Sequence, residues 1–74
     1  MFIKFLDKWV NVDRIKGIAV KFDMREDGVY KVYAGTQKNA YAFLYGKYPG
    51  KKEAFFAMND LAERIKLFKY ANGK

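Results

Sequence analysis

In the stretch NAYAFLYGKYPGKK, residues 39–52, Tyr41, Phe43 and Tyr45 alternate with Ala42 and Leu44, and Lys38, Lys47, Lys51 and Lys52 flank them. Flat π faces stack on nucleobases and ammonium groups follow phosphates, so rings interleaved with lysines are the parts from which proteins grip single strands. On an extended chain, side chains two apart share a face. The three rings then stand outside, beside Tyr33, Lys31 and Lys21, as a platform for a partner. The other arrangement points them inward, filling a core poor in other bulk and leaving Ala42 and Leu44 exposed. Both arrangements satisfy the pattern.

Other chemistry has few carriers. The chain has no His, no Cys and no Ser, and its one Thr is Thr36. Acyl transfer by a Ser or Cys nucleophile with an adjacent base lacks its parts, so no catalytic residues are expected. Asp23, Glu26 and Asp27 gather before Gly28, but the spacing D-x-x-E-D-G departs from the calcium-loop pattern, and acids beside a hairpin turn need no ion. Gly46 and Gly50 beside Lys47 and Lys51 lack the phosphate-loop sequence, because residue 52 is Lys and no hydroxyl follows. No metal, no cofactor and no enzymatic activity are expected, which leaves a binding role.

The charge fits a polyanionic partner. Net charge is +7, with seven basic and five acidic groups in residues 1–37 and eight basic against three acidic in residues 38–74. Such a surface attracts polyanions by counterion release, or serves solubility. Only three of the fifteen basic residues are Arg, which argues against duplex readout through guanine-clamping guanidinium groups.

A chain of 74 residues, 51% hydrophobic and 19% aromatic, is expected to fold as one small domain, residues 1–74. Without cysteine it must rely on packing. Lys4 and Asp7 interrupt the apolar opening, and no later run approaches the roughly 18 apolar residues of a membrane span. A cytoplasmic location with no membrane partner is the expectation.

The elements that must position these residues follow from period and punctuation. Strands are expected at 2–6, 9–12, 18–23, 29–34 and 40–45. Ile18, Val20 and Phe22 share one face against Ala19, Lys21 and Asp23, and Lys31 sends Val29 and Tyr33 outward with it, leaving Tyr30, Val32 and Ala34 inside. After Pro49-Gly50 the period changes. Ala54, Met58, Leu61, Ile65 and Phe68 form the stripe of a helix at 51–70, flanked by Phe55, Ala62 and Lys69. Glu53 and the late basic residues suit the helix dipole, whereas Lys51 and Lys52 at its start either are tolerated or present charge to an anion. The fold class is α+β: an antiparallel β-meander of four to five short strands, then one C-terminal amphipathic helix packed on one sheet face.

Ala40-Tyr41-Ala42-Phe43-Leu44 resembles part of the central signature of the RNA-recognition motif, in which small, aromatic, small, aromatic and aliphatic residues precede a further aromatic. Gly46 stands where the last aromatic belongs and Asn39 where that family has Lys or Arg, and WVNVDRIKGIAV occupies the place of its first helix. The similarity is local. It implies single-strand binding by exposed rings.

The expectation is therefore a small non-enzymatic binding protein of nucleic-acid metabolism, meeting single-stranded DNA or RNA through Lys31, Tyr33, Lys38, Tyr41, Phe43, Tyr45, Lys47, Lys51 and Lys52. The alternative rests on Phe56 and Leu67, which fall on the face of the helix opposite its stripe, eleven positions or about three turns apart. They suit a protein-interaction module or a small phage-like inhibitor of a larger enzyme, possible as a homodimer.

Overall fold

The computed structural model describes residues 2–6, 8–26 and 28–73, with side chains except those of Glu26 and of residues 68–73. Strands β1 (Phe2–Lys4) and β2 (Trp9–Asn11) form an antiparallel hairpin. Strands β3 (Gly17–Asp23), β4 (Val29–Gly35) and β5 (Phe43–Tyr48) form a second antiparallel sheet in that order, and helix α1 (Lys51–Gly73) follows. The helix packs on β3, β4 and β5, giving an α+β fold of two layers.

The two periods of the chain meet in one core. Val32 and Ala34 from β4 and Ala54 and Leu61 from α1 are fully buried, and Ile65 joins them. Ile18, Val20, Tyr30, Ala57 and Met58 pack around this centre. The hairpin adds Ile3, Phe5 and Val10, followed by Val12 and Ile15 from the segment that connects it to β3. Phe22, on the same face as Ile18 and Val20, lies near the hairpin turn, half exposed, with its ring 4.8 Å from that of Tyr30. Gly28 completes that turn at φ 68°, a left-handed conformation that glycine adopts without strain.

Several boundaries differ from the expected ones, each because a side chain or turn captures backbone donors. The first strand stops at Lys4 rather than residue 6, since the Phe5 N–H donates to the Lys8 carbonyl at 2.8 Å and closes the turn. The second ends at Asn11, whose Oδ1 accepts the Asp13 N–H and starts a 3-10 turn at Val12–Arg14. The fifth strand runs over Phe43–Tyr48, not 40–45. Thr36 Oγ1 accepts the Asn39 N–H, and Asn39 Oδ1 accepts the Tyr41 N–H at 2.9 Å, so residues 36–42 form a loop. The helix continues past residue 70 to Gly73. Of its expected stripe, the side chains of Phe68 and Lys69 lie outside the described residues.

A β-bulge breaks the β4–β5 register. Val32 pairs with Gly46 but Tyr33 pairs with Leu44, which leaves Tyr45 as the extra residue. Such a residue shifts the alternation of its strand by one.

Candidate nucleic-acid interface

The face of the β3–β4–β5 sheet away from α1 carries Ala19, Lys21 and Asp23 from β3, Val29, Lys31 and Tyr33 from β4, and Leu44 and Lys47 from β5. Cross-strand register sets Lys21 opposite Lys31 and Lys31 opposite Lys47, one row of lysines perpendicular to the strands. Adjacent strands lie about 4.8 Å apart, so the ends of the row are separated by about 10 Å at the backbone. Like charges directly opposite one another are unfavourable in a sheet. Asp23 offsets part of this: the Lys31 ammonium donates to its Oδ2 at 2.9 Å. That bond, together with the Arg25 N–H donated to Oδ1, holds the Asp23 carboxyl below the ordinary aspartate range.

Beside the lysine row stands a pair of phenols. Tyr33 and Tyr41 meet edge to face with ring centres 5.1 Å apart. Tyr41 belongs to the 36–42 loop, whose Asn39 and Thr36 hydrogen bonds hold it over the sheet, and it remains 47% exposed. The Lys21 ammonium sits 5.1 Å from the Tyr41 ring centre. Gly35, at the end of β4, permits the loop to come this close, because a Cβ there would meet the Ala40 backbone at 2.7–2.9 Å.

The three rings of the opening pattern therefore do not form one row. Tyr41 is outside, whereas Phe43 and Tyr45 turn to the core side and are half-buried, a correction to the platform of three. Phe43 pairs with buried Ala34, and its ring lies 6.4 Å from that of Phe5; the bulge sends Tyr45 the same way, 5.0 Å from Phe5. The Tyr45 hydroxyl donates to Asp60 Oδ2 at 3.4 Å, on the helix, where Arg64 Nε also binds at 3.2 Å. Burial raises the Tyr45 and Tyr48 phenols above their ordinary value, with Asp60 adding to the rise.

The remaining expected residues are dispersed. Lys47 is exposed on the outer face, and Lys38 is exposed in the loop. Lys51 and Lys52 are exposed at the start of α1, the Lys51 ammonium lying 5.7 Å from the Phe55 ring centre. Phe56 and Leu67 stand away from the core, 65% and 63% exposed. Of the acidic turn, Asp27 and the Glu26 side chain lie outside the described residues, and among the described residues no three His, Cys, Asp or Glu side chains gather as a metal site.

A second group of rings and cations escaped the sequence reading. Trp9 projects from β2, 63% exposed, with the Lys4 ammonium 5.4 Å from its ring centre. Lys8 and Arg14 approach the Phe43 ring, at 6.0 and 5.7 Å. The signal was present in residues 2–6: Ile3 and Phe5 share one face, so Phe2, Lys4 and Leu6 share the other, and the charge of Lys4 marks that one as outer. Among the described residues no helix is long and apolar enough to cross a membrane. No family model matches this chain, and the searches of curated proteins and of solved structures likewise find nothing similar to it.

Proposed function

We propose that this is a small non-enzymatic binding protein that holds single-stranded nucleic acid on the outer face of its β3–β4–β5 sheet. The observation that carries the reading is the Tyr33–Tyr41 pair standing beside a cross-strand row of lysines on the sheet face opposite α1. Core packing does not require either feature. An exposed Tyr41 packed on a half-buried Tyr33, beside three lysines in register, would be avoided by a surface selected only for stability. A polyanion with flat bases satisfies both: phosphates approach Lys21 and Lys47 on either side of the Lys31–Asp23 ion pair, and a base stacks on Tyr41, each stacked base contributing about 1–3 kcal/mol. Lys38, Lys51 and Lys52 add attraction at longer range.

Fluorescence anisotropy of labelled single-stranded DNA, single-stranded RNA and duplex, at about 50 and 200 mM salt, tests this. The expected result is preference for single strands, with part of the affinity surviving the higher salt because stacking is uncharged. Lys21→Ala should reduce the salt slope, and Tyr41→Ala should lower affinity at both salts. Equal affinity for duplex, or none for any strand, would overturn the reading.

The exposure of Phe56 and Leu67 favours a second reading, a protein contact through the outer face of α1, with a second copy of the chain as the simplest partner. Sedimentation of the wild type against Phe56→Lys separates them. A wild type that stays monomeric at high concentration removes the homodimer.

A further inference from the structure

Contacts between rings and cations are not confined to the sheet face. Lys21 sits on Tyr41. Two positions along the chain, Phe43 carries Lys8 and Arg14. Lys8 is covalently next to Trp9, and Trp9 carries Lys4. Ring–cation contacts thus occur on the outer face of the sheet, at Phe43 on its β5 edge, and on the outer side of the β1–β2 hairpin.

From these contacts we infer that the bound strand continues past Tyr41 and that Trp9 is its second stacking station, so that the site spans both sheets. The inference rests on the nucleic-acid reading above. Three features of Trp9 support it. It is the largest ring of the chain and stands mostly in water, on the same outer face of the hairpin as the exposed Phe2 and Leu6. An ammonium already occupies the neighbourhood of its π face, where a phosphate arriving with a stacked base would find a counter-charge. Between Trp9 and Tyr41, Lys8 and Arg14 supply cations for the intervening phosphates.

The chain has one tryptophan, so its intrinsic fluorescence reports on this position alone. The experiment titrates the whole protein with a single-stranded oligonucleotide of about eight nucleotides, following anisotropy and tryptophan emission together. It is repeated with Trp9→Ala, Trp9→Phe and Tyr41→Ala, all at exposed positions and each checked for folding by circular dichroism. The expected result is quenching of Trp9 emission in step with binding. Trp9→Ala and Tyr41→Ala should each lower affinity about tenfold, while Trp9→Phe, which keeps a ring, should restore most of it. Binding with unchanged emission, or with Trp9→Ala as tight as wild type, would confine the strand to the sheet and overturn this inference while leaving the proposed function intact. A loss in Trp9→Ala with none in Tyr41→Ala would place the site on the hairpin alone, which overturns the continuous track and the sheet-face reading together. No binding in any arm overturns both.

Discussion

The Lys31 ammonium donates to Asp23 Oδ2 at 2.9 Å on a diagonal of the outer sheet face, two positions along β3 from Lys21, the residue that stands opposite Lys31. One carboxylate thus serves the middle of a row of like charges.

Replacing that carboxylate should expose the repulsion. The folded-state pKa of Asp23 is lowered, so its contribution is complete above the unfolded value near 3.8 and is lost as pH falls through the lower folded value. Asp23→Asn should melt below wild type at neutral pH, and the two melting curves should converge once the pH has fallen below the folded value. The variant should also gain more from added salt, which screens the lysines. Melting by circular dichroism across pH and salt checks all of this.

The phenols of Tyr45 and Tyr48 give the opposite limb. Their folded pKa values are raised above 10.0, so the stability of their neutral forms is complete below the unfolded value and is lost as pH rises through the folded ones. The expected outcome is a steep loss of melting temperature above about pH 10, made shallower by Tyr45→Phe, which keeps the packing on Phe5 and removes the ionising group.

Gly28 and Gly35 should separate stability from binding. At Gly28, φ is 68°, and an added Cβ would also approach Phe22 Cζ to 3.2 Å. Gly28→Ala should cost about 1 kcal/mol, a fall in melting temperature of about 4–8 °C for a domain of this size, with affinity unchanged.

At Gly35 the added methyl meets backbone rather than a movable side chain. Gly35→Ala should cost about 1–3 kcal/mol and displace the 36–42 loop, carrying Tyr41 away from Lys21 and lowering affinity for a single strand as well. Unchanged binding would show that the loop does not set the site.

Leu61→Ala tests the core. A fully buried leucine between helix and sheet should cost about 2–5 kcal/mol, read as a lowered denaturant midpoint.

Much of this fold can be read from period alone. Ile18 and Val20 on β3, and Val32 and Ala34 on β4, face the core as alternation requires, because one-sided burial leaves a strand no other register. The same holds for Ala54, Leu61 and Ile65 at helical spacing. The failure lies at residues 40–45. Their alternation is as regular as that of β3, yet Asn39 and Thr36 take the backbone donors that a strand would need, and β5 then begins at Phe43 opposite buried Ala34, with the bulge at Tyr45 leaving that ring on the Phe43 side. Both events depend on a single residue in its tertiary setting, which a period cannot register. Within the candidate interface, alternation on β4 gives the outward side of Lys31 and Tyr33, whereas the inward side of Phe43 and Tyr45 comes from their packing on Phe5 and the exposure of Trp9 from the pairing of its hairpin, neither of which a period records.

The lysine row has one further consequence. A sheet that carries like charges in register is a folded state held under internal electrostatic tension, and anything that neutralises the row relaxes it. Ligand occupancy and fold stability are then linked quantities, the shift growing as RT ln(1 + [L]/Kd) for a ligand that ignores the unfolded chain. A modest core in so short a chain makes that increment a large share of the total, so on the proposed reading the melting temperature of this protein should rise with added single-stranded nucleic acid.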